Sequence, residues 1–174
     1  MNQAYQNMRA FWQDGKNMQN RKGAIEIGPE KIIAAAVEMT MEDAGQLKHL
    51  LIATNSLGDS SMYFENNSPS GLGGLIGGHG NEPLQEAAAR MLAHAAKLTP
   101  HMMRLPAGAE VPSPTRAGQV CLWAVSNDAV FYKELAETDA RQPENPFYPM
   151  FAYSQQVVGL FQQAQQQQPP SARA

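Results

Sequence analysis

The pattern of apolar positions is clearest in three stretches that have the three- and four-residue steps of an amphipathic helix. The first lies at residues 3–13, where large apolar side chains alternate with polar ones. The second starts after Asn81, because Pro83 suits a first helical turn, and Pro100 ends or kinks it. The third covers residues 150–164. We therefore predict a helix at each of these places.

One β-hairpin is also indicated near the middle of the second half of the chain. Residues 119–125 form a continuous apolar run, and residues 129–135 are rich in β-forming side chains. The residues between them, 126–128, have the chemistry of a turn. Because the first run is apolar throughout, we expect it to be a central strand.

Residues 24–64 are harder to assign. A short strand at 24–27 and a helix at about 29–39 are predicted, followed by a second helix that begins at a capping-box-like Thr40. Residues 50–53 either finish that second helix or form a strand that returns through 62–64. Of these two alternatives the hairpin is preferred.

Two segments rich in glycine, proline and polar residues, 66–81 and 106–118, are predicted to be irregular loops. Residues 165–174 are a Gln/Pro-rich tail without apolar anchors, and we expect this tail to be disordered. The rest of the chain, residues 1–164, has the length of a single domain.

The mixture of helices and hairpins predicts an α+β fold, with a small antiparallel sheet of about four or five short strands and helices packed mainly on one face. The predicted core residues are Leu84, Met91, Leu92, Val120, Leu122, Trp123, Val125, Phe131 and Val157.

Composition narrows the choice of environment and partner. The net charge of −3 argues against nucleic acid as a partner, because such binding needs a cationic surface. Only 17% of residues are charged, which suggests that a protein partner covers part of the surface. A weaker nucleic-acid hypothesis uses Arg9, Lys16, Arg21 and Lys22. A single cysteine, Cys121, and the lack of a secretory pattern or long apolar run predict a cytoplasmic protein without membrane contact.

The glycine-rich segment from Gly71 to Gly80 is the sharpest hint of a ligand, because it leads into the N-terminus of a predicted helix. Main-chain N–H groups at such a place bind phosphate or carboxylate. The segment matches neither the dinucleotide-binding pattern nor the P-loop pattern. The alternative is a mobile surface loop that serves as a lid or as a partner-binding segment. The candidate ligand-binding residues are Gly73, Gly74, Gly77, Gly78, His79 and Asn81.

Other reactive residues form no recognisable set. His79 and Glu82 are too few for a metal site, and Cys121 lies in a predicted buried strand, where a thiol is usually inert. We therefore predict no catalytic residue, no metal and no cofactor.

Surfaces for a protein partner are suggested at two helices. The apolar stripe of the first helix and the basic flank of the second supply the candidates Tyr5, Met8, Phe11, Trp12, Arg90, His94 and Lys97. The sequence thus predicts a non-catalytic adaptor or accessory protein that binds another protein or forms a homo-oligomer. The alternative is an enzyme or small-ligand-binding protein that holds an anionic group at the glycine segment.

Overall fold

The structure is a computed structural model that describes residues 1–15, 17, 24–78 and 80–167. The described elements, in chain order, are α1 Gln3–Gln13, β1 Ala34–Asp43, β2 Gln46–Asn55, β3 Ser60–Glu65, β4 Leu72–Gly77, α2 Glu82–Leu98, a 3₁₀ turn Thr99–His101, β5 Met103–Pro106, β6 Gln119–Val125, β7 Ala129–Ala136, α3 Glu137–Ala140 and α4 Tyr148–Gln167.

The seven strands form one antiparallel sheet in the order β4-β3-β2-β1-β6-β7-β5. Strand β1 is in the middle, and it joins the meander β1 to β4 to the hairpin of β6 and β7. The predicted α+β class is confirmed, although the sheet has more strands than the four or five expected. The predicted hairpin at 119–135 is also confirmed, with β6 in the interior of the sheet.

The two faces of the sheet are covered differently. Helices α2 and α4 pack on one face, and with the strands they enclose the larger apolar cluster, which includes Met91, Leu122 and Phe151. Helix α1 lies on the opposite face over a second cluster, which includes Trp12 and Trp123. All nine predicted core residues are buried. Helices therefore lie mainly on one face, as expected.

The helix predicted at residues 29–39 is wrong, because that region contains β1. Two left-handed residues, Gly28 and Lys31, form a tight turn closed by the pairing of Ile27 with Ile32, which also replaces the strand predicted at 24–27. The run from Ala34 onward is then buried between β2 and β6. Burial in the centre of a sheet overrides the helix propensity of alanine.

The second predicted helix, from Thr40, is wrong for a related reason. Ala44 and Gly45 both have positive φ angles, 49° and 76°, which is the backbone of a two-residue hairpin turn. The chain therefore reverses there and returns as β2. The preferred alternative, a hairpin through residues 50–53 and 62–64, is confirmed by β2 and β3.

The loop predicted at residues 66–81 contains the strand β4, and β5 precedes the second predicted loop. The three predicted helices are confirmed as α1, α2 and α4. Helix α4 continues to Gln167, and the remainder of the predicted tail, residues 168–174, lies outside the described residues. Within the part of the chain that the structure describes, no helix is both long enough and apolar enough to cross a membrane.

Candidate functional site

Gly73, Gly77 and Gly78 of the Gly71–Gly80 segment permit close packing in and around the sheet. A Cβ atom at Gly73 would collide with the ring of Phe64, and one at Gly77 would lie 2.9 Å from the ring of Phe161. Gly78 has a φ of +115°, and a Cβ there would meet the carbonyl oxygen of Gly58. These three glycines are explained by the close approach of neighbouring atoms.

The start of α2 is already occupied by its own side chains. The Asn81 side chain accepts a hydrogen bond of 3.2 Å from the main-chain N–H of Leu84, and the acidic Glu82 lies in the first turn. Both features compete with an anion for the N–H groups of the helix. His79, a candidate ligand residue, lies outside the described residues.

The outer side of β4 is a free sheet edge within the part of the chain that is described. The main-chain N–H of Asn66 donates to the carbonyl of Gly71, which makes this a hydrogen-bonded pair of the β3–β4 ladder. Because such pairs alternate along an antiparallel ladder, the main-chain groups of Leu72, Gly74 and Ile76 point away from β3.

Most of these outward groups have no protein partner among the described residues. The carbonyl of Leu72 accepts a hydrogen bond of 3.1 Å from the Ser70 hydroxyl. The N–H and C=O groups of Gly74 and Ile76 make no such contact, and the side chain of Ile76 is 78% exposed. The edge therefore offers unpaired donors and acceptors beside an exposed apolar side chain.

The opposite edge of the sheet, β5, is protected. The N–H of Ala107 donates to the carbonyl of Asp128, and the same alternation leaves Arg104 and Pro106 facing outward. Pro106 has no N–H, and its carbonyl accepts from the N–H of Ala109. Only Arg104 presents an open main-chain pair there among the described residues, and it carries a charge.

The apolar stripe predicted as a partner surface is largely buried in its own domain. Tyr5 and Trp12 are fully covered, while Met8 and Phe11 are partly buried against the same cluster. These side chains attach α1 to the sheet, and Tyr5 and Trp12 present no surface to a partner while α1 is docked.

The basic flank of α2 packs beside α4. The guanidinium of Arg90 pairs with Glu86 and lies 5.9 Å from the ring centre of Tyr153, on which the His94 ring also stacks at 5.4 Å. Partial burial, and secondly the charge of Lys97, lower the pKa of His94. The structure therefore brings these residues together with a tyrosine and an acid, and the flank is less cationic than its sequence suggests.

A buried ionic cluster, absent from the sequence predictions, lies under α1. Its centre is the fully buried carboxylate of Glu38, which accepts hydrogen bonds from Arg9 at 2.8 Å and from Tyr5 and Ser113 at 3.2 Å each. Arg9 also donates to the carbonyls of Val111 and Pro112, at 2.6 and 3.0 Å. Burial, followed by the charge of Glu38, raises the pKa of Tyr5.

A second part of the cluster joins β2 to β3. The His49 ring contacts a Glu65 carboxylate oxygen at 2.7 Å and the carbonyl of Pro114 at 3.2 Å, and Glu65 also accepts from the main-chain N–H of Asn2 at 2.5 Å. Burial acts to raise the pKa of Glu65, but the hydrogen bonds from His49 and Asn2 outweigh it and lower that pKa.

The charged groups of the cluster bond to one another and to main-chain carbonyls, so the cluster has a structural role. It ties α1 and the segment 107–118 to the sheet, and burial raises the pKa of the neighbouring Cys121 thiol well above its usual range, which keeps that thiol inert. A cleft of about 540 Å³ opens between α1 and residues 108–113, where Arg9 and Ser113 line its wall; no described residue of the glycine segment does so. In the described ranges, no three His, Cys, Asp or Glu residues lie close enough to share a metal ion.

The weaker nucleic-acid hypothesis loses one of its residues. Arg9 is buried and bonded to Glu38, so it does not face a phosphate backbone. Lys16, Arg21 and Lys22 lie outside the described residues.

The sequence does contain a signal for the ionic cluster. Glu38 is a lone charge within the apolar run from Ile32 to Met39, and such a charge is buried only with a partner.

Comparison with protein-family models finds no match, and a sequence search of curated proteins finds none either.

Proposed function

We propose that this protein is a non-catalytic adaptor or accessory protein and that it binds a protein chain by adding an extended strand to β4. The observation that carries this proposal is the outward-facing main chain of Gly74 and Ile76, which is unpaired among the described residues. An extended chain is the partner whose own N–H and C=O groups match such an edge.

Side chains near the edge favour the same kind of partner. Ile76 is exposed on the α1 face of the sheet, and the Phe64 ring is partly exposed on the other face, over Gly73. Strand β4 carries no charged residue and no proline. An added strand therefore gains apolar contacts on both faces and meets no ionic or steric barrier along the backbone.

The test is partner capture from the native cell with the full chain and two variants. Ile76→Pro removes one outward N–H, and an edge position tolerates proline because that N–H does not bond to β3. Ile76→Val keeps the N–H and a similar apolar side chain. We expect capture of a partner by the wild type and by Ile76→Val, and its loss in Ile76→Pro.

Circular dichroism and thermal melting of each variant show whether the fold is intact. Equal capture by all three proteins, with all three folded, would contradict the proposal because the binding would then lie elsewhere.

The alternative function, an enzyme or ligand-binding protein that holds an anion at the glycine segment, has less support. Asn81 and Glu82 already occupy the N-terminus of α2, and Gly73, Gly77 and Gly78 pack against neighbouring atoms. A thermal-shift screen with inorganic phosphate, nucleotides, acyl-CoA and sugar phosphates distinguishes the two functions. A saturable rise in melting temperature that also occurs in Ile76→Pro would favour the alternative.

A further inference from the structure

We infer that the strand added to β4 belongs to a second copy of this chain, so that two sheets join edge to edge in an antiparallel homodimer. This inference rests on the proposed function and identifies its partner.

The β4 residues whose main-chain groups point outward have the same order of residue types in both directions along the strand. In order they are Leu72, Gly74 and Ile76, which is an apolar residue, a glycine and an apolar residue. An antiparallel copy centred on Gly74 places glycine opposite glycine and places each Leu72 opposite Ile76 of the second copy. Directly opposite residues lie on the same face of a sheet, so these apolar side chains meet.

This register uses the free main-chain groups of both copies. Gly74 exchanges two hydrogen bonds with Gly74 of the second copy, and each pairing of Leu72 with Ile76 supplies two more. The Ser70 hydroxyl bonded to the Leu72 carbonyl leaves that oxygen a second lone pair. The absence of a side chain at Gly74 lets the two backbones approach without a steric cost at the centre of the contact.

The charges of the sheet edges favour pairing of β4 with β4 of the second copy over the other possible strand pairings. Strand β4 has no charged residue, so its self-pairing brings no like charges together. Self-pairing of β5 would bring the cationic Arg104 of each copy close together, and Pro106 supplies no N–H. Pairing of β4 with β5 would be head to tail, so that it would form a ring or an open chain of molecules and no closed dimer.

The test is the mass of the full-length protein in solution, measured by sedimentation equilibrium from low micromolar to submillimolar concentration. Because a six-residue strand is a small interface, we expect the wild-type mass to rise from monomer toward dimer with concentration. Ile76→Val is expected to behave in the same way, and Ile76→Pro is expected to stay monomeric throughout.

A second variant keeps the test valid if the proline variant fails to fold. Ile76→Lys retains the N–H but replaces the exposed apolar contact with a cation in each copy, and it is also expected to remain monomeric. A wild type that is monomeric at all concentrations, or a dimer that is equally strong in a folded Ile76→Pro or Ile76→Lys variant, overturns the inference.

Failure of this inference is distinguishable from failure of the proposed function. A monomeric wild type whose capture of a different protein is lost in Ile76→Pro leaves the proposed function standing and removes the second copy. A monomeric wild type with no capture that depends on the β4 edge removes both.

Discussion

The two edges of the sheet share one architecture but treat their main-chain groups in opposite ways. At β5, a proline removes an outward N–H, the N–H of Ala109 covers an outward carbonyl, and Arg104 adds a charge. At β4, glycine and isoleucine leave the backbone open. Proline and charge are the usual means by which proteins prevent unwanted strand pairing. Their presence at one edge alone is what we expect if a strand adds to the other edge, as proposed.

Although its outer side is open, β4 packs closely against the rest of the domain. Gly73, Gly77 and Gly78 bring β4 close to Phe64, to Phe161 and to the 58–59 turn, respectively. These contacts hold the strand in the sheet from its inner side and from the face covered by α2 and α4, while its outer side is left free. Changes at these glycines should therefore loosen β4, whereas changes at Ile76 should alter only what binds to it.

The largest expected effect on stability is that of Gly78→Ala. An alanine at a φ of +115° is strained, and its Cβ would run into the carbonyl of Gly58. We expect a loss of about 2–4 kcal/mol in the free energy of unfolding. Urea denaturation measures the loss, and hydrogen exchange in β4 shows whether the strand leaves the sheet.

Gly80→Ala is the matched control for that prediction. Gly80 also has a positive φ, +74°, but a Cβ there meets nothing within 4 Å among the described atoms. The expected loss is about 1 kcal/mol, from backbone strain alone. Equal losses in the two variants would contradict the view that close packing at Gly78 holds β4 in place.

A smaller effect is expected when the protected edge is opened. The double variant Arg104→Thr, Pro106→Val removes the outward charge of β5 and restores its missing N–H. Because both edges are then open, we expect species larger than a dimer to form at high concentration, as measured by sedimentation velocity. Arg104→Thr alone, which retains the proline, serves as the control. A double variant that associates no more than the wild type would show that neither Arg104 nor Pro106 protects this edge.

The sequence predicts elements well where the local pattern and the tertiary environment agree. Helix α2 has a capping Asn81, a proline in its first turn and a long apolar stripe, and it forms as predicted. Strand β1 is the opposite case, because its alanines favour a helix while burial between two strands imposes an extended chain. The deciding contacts come from β6, which lies far away in sequence.

The candidate site was only partly predictable for the same reason. A segment with three glycines in six residues has no intrinsic preference for a strand, and β4 forms because β3 pairs with it. The ionic cluster joins residues that are distant in sequence: Arg9 is 29 positions from Glu38, and Ser113 is 75 positions from it. No local sequence pattern predicts such a pairing. The lone acid Glu38 in an apolar run indicates only that a buried charge needs a partner, and it does not identify that partner.

The smallest predicted effect is the loss of stability in acid. We expect it at the β4 edge and not at the β5 edge, because Glu65 lies beside the start of β4. This residue ends β3 opposite Leu72, and the same Asn2 that donates to Glu65 also donates from its side chain to the Gly71 carbonyl. Contacts with His49, Asn2 and the N-terminal ammonium group therefore tie the start of β4 to an ionised carboxylate.

The sign of the pH dependence follows from the direction of the pKa shift. Because the pKa of Glu65 is lowered in the folded protein, its stabilisation is complete above the ordinary glutamate value of about 4.3 and is lost as the pH falls through the lower folded value. We expect the wild type to be more stable than Glu65→Gln near neutral pH, and we expect this difference to shrink as the solution is acidified below about pH 4. Urea denaturation of both proteins across this range measures the difference, with hydrogen exchange at the amides of β4 and β5 as the readout for each edge. After correction for the intrinsic exchange rate at each pH, a loss of amide protection in acid should occur first in β4 of the wild type. A stability difference that is constant with pH would mean that the charge of Glu65 contributes nothing to holding this edge.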